Sequence, residues 1–319
     1  MGRYLHWLWW LGVLSLLGLG VQAEPVSRNE RVVIVSSGTA GAYAEAAQAL
    51  VDGLVRADVA RQGIIQLTAA EMAWRIRQGQ LPQPSLFVAL GSDATQVLAS
   101  AKQSAPVLSA LIPRTSFERI LRDSGRTASS QLTALYLDQP LNRQLALIRL
   151  VWPQARRLGV LWGAESLAQA PTLHALAAAE HWAVKEATVN SPAEIFIGLK
   201  QVLDDSDVLL AVADPQVYNS NSLQNILLSA FRARVPMVAF SPAYARAGAV
   251  LSLHVTPAQA GVQAAALALD VLHGRPLPVA PVKSQDFEVT VNPHVARALG
   301  LSLDDKVLRQ ALRRLEQLP

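Results

Sequence analysis

Short apolar runs bounded by polar or small residues recur along the chain, with stretches of helical spacing between them. Arg31 to Val35, Gly63 to Leu67, Leu86 to Leu90 and Pro106 to Ile112 have the continuous apolar character of parallel strands covered on both faces. Helical spacing follows the first three, over Ala42 to Val55, Thr68 to Arg77 (Thr68 placed to cap) and from Ser92 or Asp93 to about Lys102. Arg114 to Gln131 is more polar and reads as partly loop, and Leu132 to Leu137 as a strand that crosses into a second half. After a helix over Asn142 to Val151 the pattern restarts. Strands are expected at 157–162, 184–189, 207–213 and 235–240, with a long alanine-rich helix to about Trp182, a capping box opening at Ser191 to Glu194, and a helix over 219–232. Ala249 to Val255 and Phe287 to Val291 add strands, Thr256 and Asn292 open helices, and Leu303 to Leu318 is an amphipathic tail helix. The order β-α-β-α-β-α-β thus occurs twice. It predicts an α/β protein of two similar Rossmann-like lobes, each a parallel sheet flanked by helices, facing a shared cleft.

The ends of these strands carry the candidate chemistry. Asp207 to Ala213 stops at Asp214-Pro215, and proline cannot continue a ladder, so Asp214 stands just past the carboxyl end of a buried strand. Open α/β sheets bind ligands there. Leu86 to Leu90 ends the same way, at Gly91-Ser92-Asp93. Ser36 to Gly41 forms a small polar turn before a helix N-terminus, a place where backbone N–H groups can face an anion. Each of these residues has a plainer reading: Asp93 as a helix cap, Asp214 as a turn former before Pro215, and Ser37 and Thr39 as turn residues. Trp162 ends a strand near the expected cleft, whereas Trp74, Trp152 and Trp182 are placed to pack helices.

Composition narrows the classes. With 319 residues, 51% hydrophobic and 16% charged, the chain suits two globular domains. The formal charge of +4 comes from scattered arginines with no run that would track a phosphate backbone, so no nucleic acid partner is expected. Absence of cysteine excludes disulfides, thiolate metal sites and a cysteine nucleophile. The six histidines have no metal-ligand spacing, there is no Gly-x-Ser-x-Gly elbow and no dinucleotide or Walker loop, so neither enzyme nor cofactor is expected. At the N-terminus Arg3, the apolar run Leu8 to Gly20 and Val21-Gln22-Ala23 read as a cleaved signal peptide, residues 1–23, which implies a periplasmic protein starting at Glu24.

With these elements in order, the chain resembles the substrate-binding proteins of ABC transporters, in the type I periplasmic group that includes tryptophan- and tyrosine-binding members. The resemblance is carried by Val33 to Gly38, Ala89 to Thr95, Ala105 to Val107, Trp152 to Leu161, Ser206 to Leu209, Val235 to Phe240, Ala247 to Ala249, and Gly261 to Gly274 ahead of Pro276 to Val279. It spans nearly all of the chain after the signal. Ile112-Pro113-Arg114 and Gln131 to Ala134 depart from it, standing where members often carry Asp-Pro and Asn-Val-Thr-Gly.

The resemblance implies a three-strand hinge, with crossings near 133–138, 252–256 and 279–284. The first lobe would comprise 24–135 with 254–281, and the second 136–253 with 282–319. It implies a monomer that captures a small molecule by hinge closure and delivers it to an ABC permease, or alternatively informs a sensory receptor. By position, the ligand contacts would be Ser37, Gly38, Thr39, Ser92, Asp93, Trp162, Asp214, Tyr218, Ser241 and Tyr244. For an amino acid, Ser37, Thr39 and Ser92 would hold the carboxylate, Asp214 the ammonium, and Trp162, Tyr218 or Tyr244 an apolar side chain.

Overall fold

The computed structural model describes residues 32–101 and 103–317. The expected signal peptide and the start at Glu24 lie outside the described residues. The first half runs β1 (Val32–Ser36), α1 (Ala42–Arg56), β2 (Ile64–Thr68), α2 (Ala69–Arg77), β3 (Leu86–Leu90), α3 (Ser92–Ser100), β4 (Val107–Ile112), α4 (Arg114–Asp123) and β5 (Leu132–Tyr136). The second half runs α5 (Leu141–Val151), β6 (Arg157–Trp162), α6 (Ala170–Ala179), β7 (Ala183–Thr188), α7 (Glu194–Leu203), β8 (Val208–Leu210), α8 (Leu223–Arg232), β9 (Met237–Ala239), α9 (Pro242–Ala247) and β10 (Leu251–His254). Last come α10 (Pro257–Leu272), β11 (Val282–Lys283), β12 (Glu288–Val291), α11 (Pro293–Ala298) and α12 (Asp305–Glu316).

These strands form two six-stranded sheets, ordered β11-β5-β4-β3-β1-β2 and β12-β10-β9-β8-β6-β7. All pairs are parallel except β10 with β12. Each sheet buries both faces, as the unbroken apolar runs require: Val32 and Ile34 pack on one side of the first sheet, Val33 and Val35 on the other. The fold is therefore the two-lobed α/β arrangement that the doubled pattern predicts.

The chain passes between the sheets after β5, after β10 and after β11. Helix α10 follows a strand of the second sheet yet packs on α1 of the first, where its Gly261 lies so close to Ala46 that a Cβ there would meet the Ala46 carbonyl oxygen. Val282 and Lys283 pair with Leu135 and Tyr136, so this short edge belongs with the first sheet, although residue 282 was expected in the second lobe.

Several elements differ from the expected ones. Within Arg114 to Gln131, read as partly loop, Arg114–Asp123 is a helix, because Phe117, Ile120 and Leu121 fall on one buried face despite the polar residues between them, and the loop is confined to 124–131. The expected strand 207–213 pairs only over Val208–Leu210, and the chain then leaves the sheet toward Asp214. The expected helix to Trp182 is a 3-10 turn, Leu167–Gln169, followed by the shorter α6, and the helix expected over 219–232 starts only at Leu223. At Ser191 no capping box forms: Ala193 is the N-cap, and the Ser191 hydroxyl donates to Glu194.

Candidate functional site

The carboxyl ends of strands from both sheets converge on a cavity of about 470 Å³ between the lobes, next to the crossings. Leu111 and Pro113 enter it from the end of β4, Leu137 and Asp138 from the end of β5, and Ala213 from beyond β8. Phe240 and Ser241 follow β9, while His254, Val255 and Thr256 stand where β10 gives way to α10. Ala42 and Glu45 of the first turn of α1 complete the wall. The cavity is mainly apolar, and four helices, α1, α4, α9 and α10, begin at it, so their unpaired N–H groups and positive dipole ends lie at its edge.

The polar groups here are few. Asp138 Oδ2 accepts a hydrogen bond from the Arg114 N–H at 2.7 Å. Burial raises the Asp138 carboxyl above the usual carboxylate range, and that hydrogen bond offsets only part of the effect. His254 is 8% exposed, and its Nδ1 lies 3.4 Å from the Ser252 hydroxyl. Burial lowers its pKa below the ordinary histidine value, more than nearby Glu288 raises it, so the ring is neutral at pH 7. Glu45 Oε1 accepts from the Ala258 N–H at 3.3 Å, which ties α1 to the start of α10. Beside the cavity, Phe240 meets Tyr218 and Tyr244 edge-on, with centroids 5.9 and 4.9 Å apart, and the Tyr244 hydroxyl donates to the Tyr218 carbonyl oxygen.

Of the ten residues proposed from sequence, Ser241 lines this cavity, and Tyr218 and Tyr244 stand behind it through Phe240. Tyr218 is buried, which pushes its phenol up, and its hydroxyl has no partner among the described residues. The first-lobe residues form a second group. The Ser37 hydroxyl accepts from the Ala94 N–H at 2.9 Å, so Ser37 caps α3 from the neighbouring loop and stands against Gly91. Neither Ser92 nor Asp93 is the cap: Gly91 occupies that position at φ 92°, a conformation that favours glycine, and Asp93 is exposed. Gly38 and Thr39 line a separate depression of about 430 Å³ with Tyr43, Gln66 and Glu71.

Two of the proposed residues are set apart by burial. Trp162 is fully buried in a cluster with Leu158, Leu173 and Val208, and its indole N–H donates to Glu186 at 2.6 Å, so it packs in the second-lobe core. Asp214 is 2% exposed, and its two oxygens accept from the Ser166 and Gln216 N–H groups, both at 2.8 Å. Its carboxylate ties the loop after β6 to the loop after β8 and is occupied by the backbone. Sequence reasoning passed over Asp138, His254, Glu45 and Phe240. Asp138 did carry a readable signal, since it follows a buried strand and precedes Gln139-Pro140, much as Asp214 precedes Pro215.

Two α/β lobes, three crossings at one edge and an apolar cavity between strand ends define a ligand-binding protein of the type I periplasmic class. The chain belongs to the ABC transporter substrate binding protein family, whose model matches residues 65–314. That family consists of substrate-binding proteins, not enzymes. A tyrosine-binding protein of Clostridioides difficile is 22% identical over 223 residues, 68% of this chain. The match spans 63% of that relative's length, less than two thirds. Among solved structures, a ligand-free, open substrate-binding protein with adhesive properties from Clostridium difficile superposes with a TM-score of 0.67 at 18% identity, covering 86% of this chain and 96% of that one. A Streptococcus protein in complex with L-Trp gives 0.58 at 19% identity, covering 87% and 98%. At these identities the structural likeness speaks to fold. No helix of the described residues is long and apolar enough to cross a membrane.

Proposed function

We propose that this protein is the periplasmic substrate-binding component of an ABC transporter, which captures a small ligand of the amino-acid class in the interlobe cleft and presents the closed form to a permease. The observation that carries this reading is the cavity between the lobes. About 470 Å³ falls within the usual range for small-molecule sites, and its walls come from both sheets next to the crossings. A ligand touching both walls favours the closed state by its differential affinity, which is how binding becomes a signal that a partner can read. A monomer suffices for this reading, since both walls of the cleft come from one chain. The relatives named for tyrosine and for bound L-Trp support an aromatic amino acid, and Phe240 with its tyrosine neighbours offers an apolar, edge-rich surface for one.

The test is a thermal-shift screen of the twenty amino acids, followed by small-angle scattering with each hit. Tyrosine or tryptophan is expected to raise the melting temperature, because a ligand bound to the folded state alone stabilises it. The radius of gyration is expected to fall at saturation. A panel with no shift, or an unchanged scattering profile with a saturating ligand, would remove this reading.

A further inference from the structure

The cavity wall carries an asymmetry of charge. Asp138 lines it on the segment that leaves β5 for the second lobe. Its Oδ2 is engaged by the Arg114 N–H, and no side-chain donor among the described residues reaches Oδ1. The guanidinium of Arg114, the residue whose backbone N–H Asp138 accepts, is directed to Glu118 at 2.6 Å. Among the described residues lining the cavity there is no lysine or arginine. The other two titratable groups are accounted for, since Glu45 holds the start of α10 and His254 is neutral in its buried setting.

We propose that Asp138 binds the ammonium group of the ligand, and that the cleft therefore selects amines with an apolar body instead of carboxylates. This rests on the reading of the cleft as the ligand site. A carboxylate served only by backbone N–H groups, those of Arg114 and of its own residue, in an apolar wall is poorly solvated, and an ammonium placed at Oδ1 restores what burial removed. A ligand carboxylate, in contrast, meets no cationic side chain among the described residues of the wall, only neutral donors such as the Ser241 and Thr256 hydroxyls and the backbone N–H groups at helix ends, which act as weaker partial charges. The ammonium is then the discriminating group, and the carboxylate of an amino acid adds affinity without being required.

Calorimetric titration of the intact protein with three pairs of probes separates the possibilities: tyrosine and tryptophan, their decarboxylated forms tyramine and tryptamine, and their deaminated forms, the corresponding arylpropionates. The wild type is expected to bind an amino acid and its amine within about tenfold of each other and the arylpropionate far more weakly. Asp138→Asn keeps an oxygen for the Arg114 N–H and removes the charge, so both amines should weaken by about ten- to a hundredfold, the usual worth of a hydrogen bond to a charged group. Asp138→Glu retains the charge and should lose less than Asp138→Asn, and thermal melts of both variants report that they are folded. Unchanged amine affinity in Asp138→Asn, or an arylpropionate that binds the wild type as tightly as the amino acid, overturns this inference and leaves the cleft reading standing. Failure of all six probes to bind the wild type overturns both.

Discussion

Asp214 and Asp138 both follow the carboxyl end of a buried strand, and their surroundings give them different consequences on substitution. Asp214→Ala strips the Ser166 and Gln216 N–H groups of their acceptor inside a closed loop pair. Each unpaired buried donor costs about 1–3 kcal/mol, so unfolding in urea should show a loss of about 2–4 kcal/mol. A variant as stable as the wild type would show that these bonds are replaced by water. For Asp138 the sign reverses. Burial raises its carboxyl in the folded chain above the unfolded value, so its contribution to stability is present below the ordinary carboxylate range and lost as pH rises through the raised value. Above the raised value the wild type carries a desolvated carboxylate that Asp138→Asn lacks. The variant should melt higher at pH 7, and the difference should shrink as the pH falls toward about 4, near the unperturbed aspartate value. Equal melting curves across that window would count against the assignment. The sequence shows both aspartates in the same local pattern, and what separates them is distant: the Ser166 amide that occupies Asp214 lies 48 positions away. Trp162 was hidden for the same reason, since which face of a fully buried strand it occupies depends on the layer behind it.

Elements were legible where the chain itself supplies both halves of an interaction. Thr68 with Glu71, and Thr256 with Gln259, have the capping-box spacing, and both boxes form with all their hydrogen bonds. The largely apolar strands β1, β3, β4 and β6 were likewise readable to within a residue or two, since strands covered on both faces carry few polar residues. The two-residue β11 was not readable, because its strand character exists only through Leu135 and Tyr136 of its partner. Ser191 shows the limit of a motif: the spacing is right, but Glu194 also accepts from the Asn190 N–H, and the helix starts without a side-chain cap. Helix α10 opens at the cavity and leads out of the second crossing, so its cap bears on both fold and site. Thr256→Ala should cost about 1 kcal/mol in chemical denaturation. Thr256→Ser keeps the hydroxyl and should recover most of the loss, whereas equal losses for both would assign the effect to packing of the threonine methyl group.

At the scale of the molecule, the two lobes are joined by three crossings at one edge and also touch across the cleft, where Arg119 of α4 lies 3.6 Å from Glu165 in the loop after β6. This ion pair belongs to neither the cavity wall nor the hinge. It has the position of a latch, but its energy argues otherwise. Arg119 is close to half exposed, and an exposed pair of this kind contributes about 0.2–1 kcal/mol and is screened by salt. In the closure proposed above, the differential affinity for the closed state would then come chiefly from the ligand and its contacts with both walls. Arg119→Ala is therefore expected to change ligand affinity by less than about fivefold at low salt, with wild type and variant converging at about 1 M salt. Titration of the ligand identified by the thermal screen, at both salt concentrations, measures this directly. A loss beyond about tenfold that disappears in high salt would make the pair a true latch, and would move part of the closing energy from the ligand to the rim of the cleft.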